Sequence, residues 1–289
     1  MKFWQVVSFS EPDQLVPIAQ AAEEAGFHGV LLADHLFFPA KLESKYPYSE
    51  DGTPGFDGTT PFPDPWTTIA AMASVTKTLR FAPMVFILPL RHPIELAKTL
   101  GTLSLHTQGR AILGAGAGWI REEFDVLGIP WKGRGKRMDE MVEIMRLLWS
   151  GDMIEYHGEV FDLPQMQMSP APAAPVPIYF GGISEPAMRR AARTGQGWFG
   201  TGNTVEQAED LLGKLQTYRK EYGTDSDEFD ALVPLAVPPD ADLFARLEND
   251  LGMTSTSVYP FMYTLGPSST LEQKRDGMMR FGEAFIHRG

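Results

Sequence analysis

KFWQVVSFSEPDQLVPIAQAAEEAGFHGVLLADH, residues 2–35, reads as a strand, a helix and a second strand. Phe3 to Ser8 and His28 to Ala33 are short apolar runs of strand length. Between them, Asp13 to Ala25 has apolar residues at helical spacing and stops at Gly26. Pro17 is tolerable only in the first turn of that helix, which favours Asp13 over Ser10 as the N-cap. Strand, helix and strand in this order make a parallel βαβ unit, and the rhythm continues along the chain. Further strands are expected at Arg80 to Leu88, Ala111 to Ala115, Pro177 to Phe180, Gly197 to Phe199, Leu232 to Val237 and Ser257 to Pro260. The helices between them include one opened by the cap-plus-proline pair Asp64-Pro65, then Lys136 to Trp149, Glu185 to Thr194, Val205 to Tyr222, Asp242 to Leu251 and Leu271 to Ile286. About eight βα units close a TIM (β/α)8 barrel, so residues 1–289 are expected to form a single α/β domain.

Two stretches break the rhythm. Residues 35–64 are rich in proline, glycine and aromatics (Phe37, Phe38, Tyr46, Tyr48, Phe56, Phe62) and too long for an idle connection, so they are expected to act as a lid. Residues 150–176 hold a small hairpin centred on Gly158, inserted before the fifth strand.

With 25 basic and 37 acidic side chains the net charge is -12, which argues against a broad grip on nucleic acid or on an anionic membrane surface. The absence of cysteine removes disulfides, thiolate nucleophiles and iron–sulfur clusters from consideration. No signal-peptide core precedes Glu11 and Asp13, so a cytoplasmic protein is expected. The six histidines show neither H-x-H on the first strand nor H-E-x-x-H, and G-x-S-x-G is missing, so no metal is expected and a bound organic cofactor is the natural source of difficult chemistry.

In such a barrel, reactive groups stand just past the C-terminal ends of strands. Asp34-His35 follows the second strand and could place an imidazole beside a carboxylate, or could be a plain loop cap. Gly114-Ala115-Gly116-Ala117-Gly118-Trp119 follows the fourth, where missing side chains would let a flat ring lie on backbone or would merely relieve a crowded corner. Gly181-Gly182-Ile183-Ser184 follows the fifth and leads into a helix, a suitable cradle for phosphate, with Arg189, Arg190 and Arg193 adding charge.

Taken together, AAEEAGFHGVLLADH (21–35), PDPW (63–66), LPLRHP (88–93), LGAGAGWIREEF (113–124), LLWSG (147–151), HGEVFDLP (157–164), PIYFGG (177–182) and AARTGQGWF (191–199) resemble the bacterial luciferase-like superfamily. Within it the likeness is to the branch of oxidoreductases that use the deazaflavin coenzyme F420. The resemblance covers about two thirds of the chain, and after Val237 it rests on fold alone. It implies a ring at the barrel mouth, with a non-prolyl cis peptide near Pro83-Met84 supporting one face. Asp34 and His35 match the pair beside that ring, with His35 handling a proton or orienting substrate. Ala115 and Gly116 would line the ring edge, and Gly181, Gly182 and Ile183 would offer amides to the phosphate, with Trp198 and Phe199 nearby. The family favours homodimers.

The sugar-phosphate dehydrogenases of that branch carry an acidic residue after the glycine run, where this chain has Trp119. With Trp66, Trp119 and Phe37 expected around the substrate, a more apolar molecule than a sugar phosphate is implied. The expected activity is F420-dependent hydride transfer to or from a small organic substrate. Two alternatives stand beside it: an FMN-dependent monooxygenase fed by a separate reductase, and a cofactor-binding protein without turnover.

Overall fold

The computed structural model describes residues 1–202, 204–259 and 269–287. In chain order the strands are β1 Lys2–Val6, β2 Gly29–Leu32, β3 Arg80–Pro83, β4 Phe86–Ile87, β5 Leu113–Gly116, β6 Ile154–His157, β7 Asp162–Met166, β8 Ile178–Gly181, β9 Gly197–Phe199, β10 Asp230–Leu232 and β11 Ser255–Val258. The helices are α1 Leu15–Glu24, α2 Pro65–Ser74, α3 Pro93–Thr107, α4 Arg121–Val126, α5 Arg134–Leu148, α6 Glu185–Thr194, α7 Val205–Tyr222, α8 Ala241–Leu251 and α9 Leu271–Phe281. All strands except β6 and β7 pair in parallel, in the order β3-β2-β1-β11-β10-β9-β8-β5-β4. Because β3 and β4 are successive parts of one strand, and a bridge from Phe81 to Ala111 joins the ends, this is an eight-stranded barrel.

Most expected elements lie where the periodicity put them, and the departures have local causes. Helix α1 begins at Leu15 behind a 3-10 turn over Pro12–Gln14, so Asp13 is inside that turn and is not its cap. The seventh barrel strand starts at Asp230, before the apolar run at 232–237, and the eighth starts at Ser255. Their first residues are polar yet buried: Asp230 accepts hydrogen bonds from Ser255 Oγ (2.6 Å) and Tyr179 Oη (3.2 Å), while Thr256 Oγ1 donates to the Val233 carbonyl (2.8 Å). Satisfied polar groups of this kind escape a reading based on apolar runs. Pro260, the expected end of the eighth strand, lies outside the described residues. The hairpin β6–β7 forms around Gly158, its turn tied down by Glu140, which accepts from the amides of Glu159, Val160 and Phe161.

Alternation along the strands sorts side chains into two layers. Trp4, Val6, Leu31, Ala82, Ile112, Tyr179, Phe199 and Leu232 fill the barrel, and half-buried Met84 and Val85 lie over them. Phe81, Leu113, Ala115, Phe180 and Trp198 face the helices instead.

Between β3 and β4 the chain bulges through a cis peptide at Met84–Val85, one bond beyond the expected Pro83-Met84 position. The bulge is seated by glycines. A Cβ on Gly114 would stand 1.9 Å from the Pro83 carbonyl oxygen, one on Gly116 2.2 Å from Val85 Cγ2, and one on Gly181 2.3 Å from Val85 Cγ1. Gly114→Ala is therefore expected to lower the unfolding free energy by at least about 2 kcal/mol, since rigid backbone would have to move. Gly213, mid-helix in α7 with open space around it, supplies the contrast. Gly213→Ala should raise stability by about 0.5–1 kcal/mol, both changes being read from urea midpoints at constant m-value.

Candidate active site

The C-terminal ends of β2, β5 and β8 meet the bulge, through the Leu32 carbonyl that accepts from Met84 and through Gly116 and Gly181 beside Val85. Strand β2 ends at Leu32, and the chain then delivers Asp34 and His35 in opposite roles. Asp34 is buried and accepts from the Ile87 amide (2.8 Å) and from Arg91 Nη2 (2.7 Å), whose guanidinium lies 4.2 Å over Phe86. Burial pushes its carboxyl upward, and Arg91 and the Ile87 amide work against that shift. Both oxygens are thus engaged in fastening the second barrel strand to the third, and Asp34 is not the group that orients the imidazole.

That partner is Glu123, which the sequence reading passed over. His35 Nδ1 lies 3.3 Å from Glu123 Oε2, and Glu123 Oε1 accepts from the Leu36 amide at 2.8 Å. Glu123 is fully buried, the third residue of short α4, which starts only five residues after Gly116 ends β5. A carboxylate at Nδ1 makes that nitrogen the donor and leaves Nε2 for other work. An acidic residue is therefore present near the imidazole even though Trp119 follows the glycine run. The signal available was the burial expected of one face of α4, which places Glu123 and Phe124 inward and Glu122 outward.

The 35–64 loop lies over this pair. His35 is flanked by Phe62 (ring centroids 5.1 Å), Phe56 (5.3 Å) and Trp119 (5.8 Å), and Tyr46 stands 5.1 Å from Trp119. Phe9, past the end of β1, joins Phe56 and Phe62 from a left-handed backbone conformation (φ 66°), a costly setting for a bulky residue that the surrounding ring contacts must offset. Glu122 holds the loop down: its Oε1 accepts from the amides of Glu43 (2.5 Å) and Ser44 (3.0 Å), and its Oε2 from Ser44 Oγ (2.6 Å). Ser44 Oγ in turn accepts from the Arg121 amide (2.9 Å), capping α4 from outside the helix.

At the far side of the bulge, the diglycine turn differs in detail from expectation. The Gly182 amide is committed to the Phe199 carbonyl (3.2 Å), and Gly181 pairs with Phe199 in the sheet. The amides of Ile183 and Ser184, by contrast, donate to nothing among the described residues, and the Ser184 hydroxyl caps nothing on α6. Trp198 is buried in the outer layer and braces the turn by donating to the Gly182 carbonyl (2.8 Å), while Phe199 lies inside the barrel beneath the mouth. Arg189 is occupied by Glu185 and Glu221, and Arg190 by Asp139, so neither supplies charge to the turn. Arg134 does bring charge to the rim. It stacks 3.6 Å over Trp131 and, among the described residues, bonds to the carbonyls of Gly118 and Trp131 and to no carboxylate.

Three expected residues stand elsewhere. Ala115 faces the helices, so only its backbone could touch a ligand, whereas Gly116 is at the mouth but its open side is filled by Val85. Trp66 is buried 5.1 Å from Phe86 and lines an open groove of about 650 Å³ between α2 and α3, on the outside of the barrel. Phe37 is half-buried and makes none of the ring contacts around His35. Among the described residues no three His, Asp or Glu side chains are grouped to hold a metal ion.

The mouth therefore offers an apolar floor of Met84 and Val85, a half-buried imidazole backed by a buried carboxylate, and, at the diglycine turn, two amides that donate to nothing among the described residues. This fits a flat heterocycle carrying an anionic tail. Residues 5–248 match the model of the luciferase-like monooxygenase family, and the chain belongs to that family of oxidoreductases. It is 36% identical over 288 residues to an uncharacterized protein of Mycobacterium tuberculosis, covering 99% of both chains. It is 31% identical to an F420-dependent glucose-6-phosphate dehydrogenase of Nakamurella multipartita, over 80% of this chain and 65% of that enzyme. In fold it is similar to a monooxygenase from Streptomyces bottropensis, with a TM-score of 0.79, 20% identity and 99% of each chain covered.

The Glu122 latch makes a pH prediction. Partial burial acts to raise its pKa, but the hydrogen bonds from the Ser44 hydroxyl and the loop amides outweigh it and bring the group to about 2. A folded-state value below the ordinary 4.5 means that the latch is complete above pH 4.5 and is lost as pH falls through 2. Amide protection at Glu43 and Ser44 should persist at pH 4 and collapse near pH 2; collapse near pH 4.5 would contradict this account of the latch. Glu122→Ala should speed proteolytic nicking of 35–64 about tenfold at neutral pH with little change in the global unfolding midpoint.

Proposed function

We propose that this protein is an F420-dependent oxidoreductase acting on a small organic substrate beneath the 35–64 loop. The observation that carries the reading is the half-buried His35 imidazole held against the fully buried Glu123, beside an apolar floor whose opposite rim holds unused amides. Bound there, reduced or oxidised F420 would supply or accept the hydride. Met84 and Val85 would support the ring, Gly116 and Gly181 letting Val85 sit where it can do so. Ile183 and Ser184 would donate to the phosphate, with Arg134 adding positive charge. Glu123 fixes Nδ1 of His35 as a donor, so Nε2 can give or take the proton that accompanies hydride transfer at a substrate oxygen. Phe62 and Trp119 exclude water from that proton path. The similarity to an F420-dependent dehydrogenase favours the deazaflavin over FMN, though that relative's sugar phosphate is a separate matter.

Titration of purified protein with F420 and with FMN tests the cofactor. Tight F420 binding is expected; tight FMN binding with none of F420, together with oxygen consumption on adding reduced FMN, would favour the flavin monooxygenase reading. His35→Ala and Glu123→Gln should each lower kcat by about 10²–10³ while the F420 Kd stays within about twofold. Unchanged turnover in His35→Ala would remove the imidazole from the chemistry.

A further inference from the structure

Phe56 is the ring on which the loop converges. Its centroid is 5.0 Å from Phe62, 5.3 Å from His35, 6.0 Å from Phe38, 6.2 Å from Phe9 and 6.3 Å from Trp119. Phe9, His35 and Trp119 belong to the ends of three different barrel strands, so the box around Phe56 is built by the barrel as much as by the loop. A flat, uncharged ring therefore occupies the space directly against the imidazole assigned to proton transfer.

The backbone on either side of that ring is lightly packed. Gly55 and Gly58 flank it; a Cβ on Gly55 would meet nothing within 4 Å, and one on Gly58 would only touch Phe38 at 3.8 Å. Gly55, Asp57 and Gly58 are exposed, so a segment that swings out gives up the ring contacts of Phe56 itself and little from its neighbours. The loop is anchored elsewhere, at Ser44 by Glu122, so release of Phe56 does not require release of the whole lid.

We propose that Phe56 is an internal stand-in for the substrate, and that the substrate is an uncharged molecule bearing a flat ring, which takes Phe56's place against His35. This rests on the oxidoreductase reading, since it names the substrate class of the same site. Two features select the class. Edge-to-face partners on several sides reward a flat ring over an open chain. The buried Glu123 carboxylate, 3.3 Å behind His35 Nδ1, opposes a negatively charged group entering there. The box is open to substrate only in the fraction of time that Phe56 is out, so apparent affinity is reduced by that fraction.

The test is binding to the cofactor-free protein, followed by tryptophan fluorescence, with Trp119→Phe assigning the signal to the box. The probes are acetophenone, its para-carboxylate, and the straight-chain methyl ketone of the same carbon count. Acetophenone should bind best, and Phe56→Ala should tighten it about tenfold, as expected if the stand-in fills the box about nine-tenths of the time. Phe56→Leu, which keeps apolar bulk but not the flat ring, should fall between. Equal binding of the three probes, or weaker or unchanged acetophenone binding in both variants, would overturn the inference and make Phe56 an ordinary wall. The F420 titration is independent of this readout: intact F420 binding without ring preference defeats the inference alone, and absent F420 binding with ring preference defeats the cofactor reading alone.

Discussion

The mouth of this barrel takes its shape from a steric fit: the turn through Pro83, Met84 and Val85 occupies volume that Gly114, Gly116 and Gly181 leave empty. Any side chain on those glycines would collide with backbone or with Val85. The fit lets the third barrel strand bulge inward without parting from its neighbours, since Met84 still donates to the Leu32 carbonyl (2.6 Å) and β4 still pairs with β5. Asp34 completes the arrangement by taking the Ile87 amide just beyond the bulge. Packed interiors respond to such volume matches at the scale of single methylenes, so an apolar platform held this way is rigid.

From that platform the other parts of the site follow in order. Because Asp34 is spent on fastening strands, the imidazole at the next position depends on a different carboxylate, Glu123, carried by the helix that follows the glycine run. Adjacent Glu122 points outward and holds the 35–64 loop, so a single turn of α4 anchors both the His35 imidazole and the loop that lies over it. Two neighbouring carboxylates are thereby separated in role by environment: one enclosed against an imidazole, the other bathed in hydrogen-bond donors at the loop's edge.

Much of the architecture was legible because parallel strands buried on both faces read as apolar runs, and amphipathic helices separate them. The exceptions are instructive. β10 and β11 begin with Asp230 and with Ser255, Thr256 and Ser257, whose polarity is hidden by mutual hydrogen bonds and invisible to a hydropathy pattern. At the site, His35 and the glycine run were recognisable from their place at strand ends. The role of the glycines was not, because what they accommodate is a segment some thirty to a hundred residues earlier in the chain. Glu123 was hidden for the same reason: its partner lies 88 positions away. Trp66 was assigned by residue type, and its burial beside Phe86 on the outer face shows how little type alone says about direction.

The most direct test of the account is a crystal structure of the protein with F420. The account predicts the deazaflavin ring against Met84 and Val85, its reacting edge toward His35, and its phosphate on the amides of Ile183 and Ser184 near Arg134. A ring bound outside the mouth, or one that leaves the His35–Glu123 pair remote from its reacting edge, would contradict it.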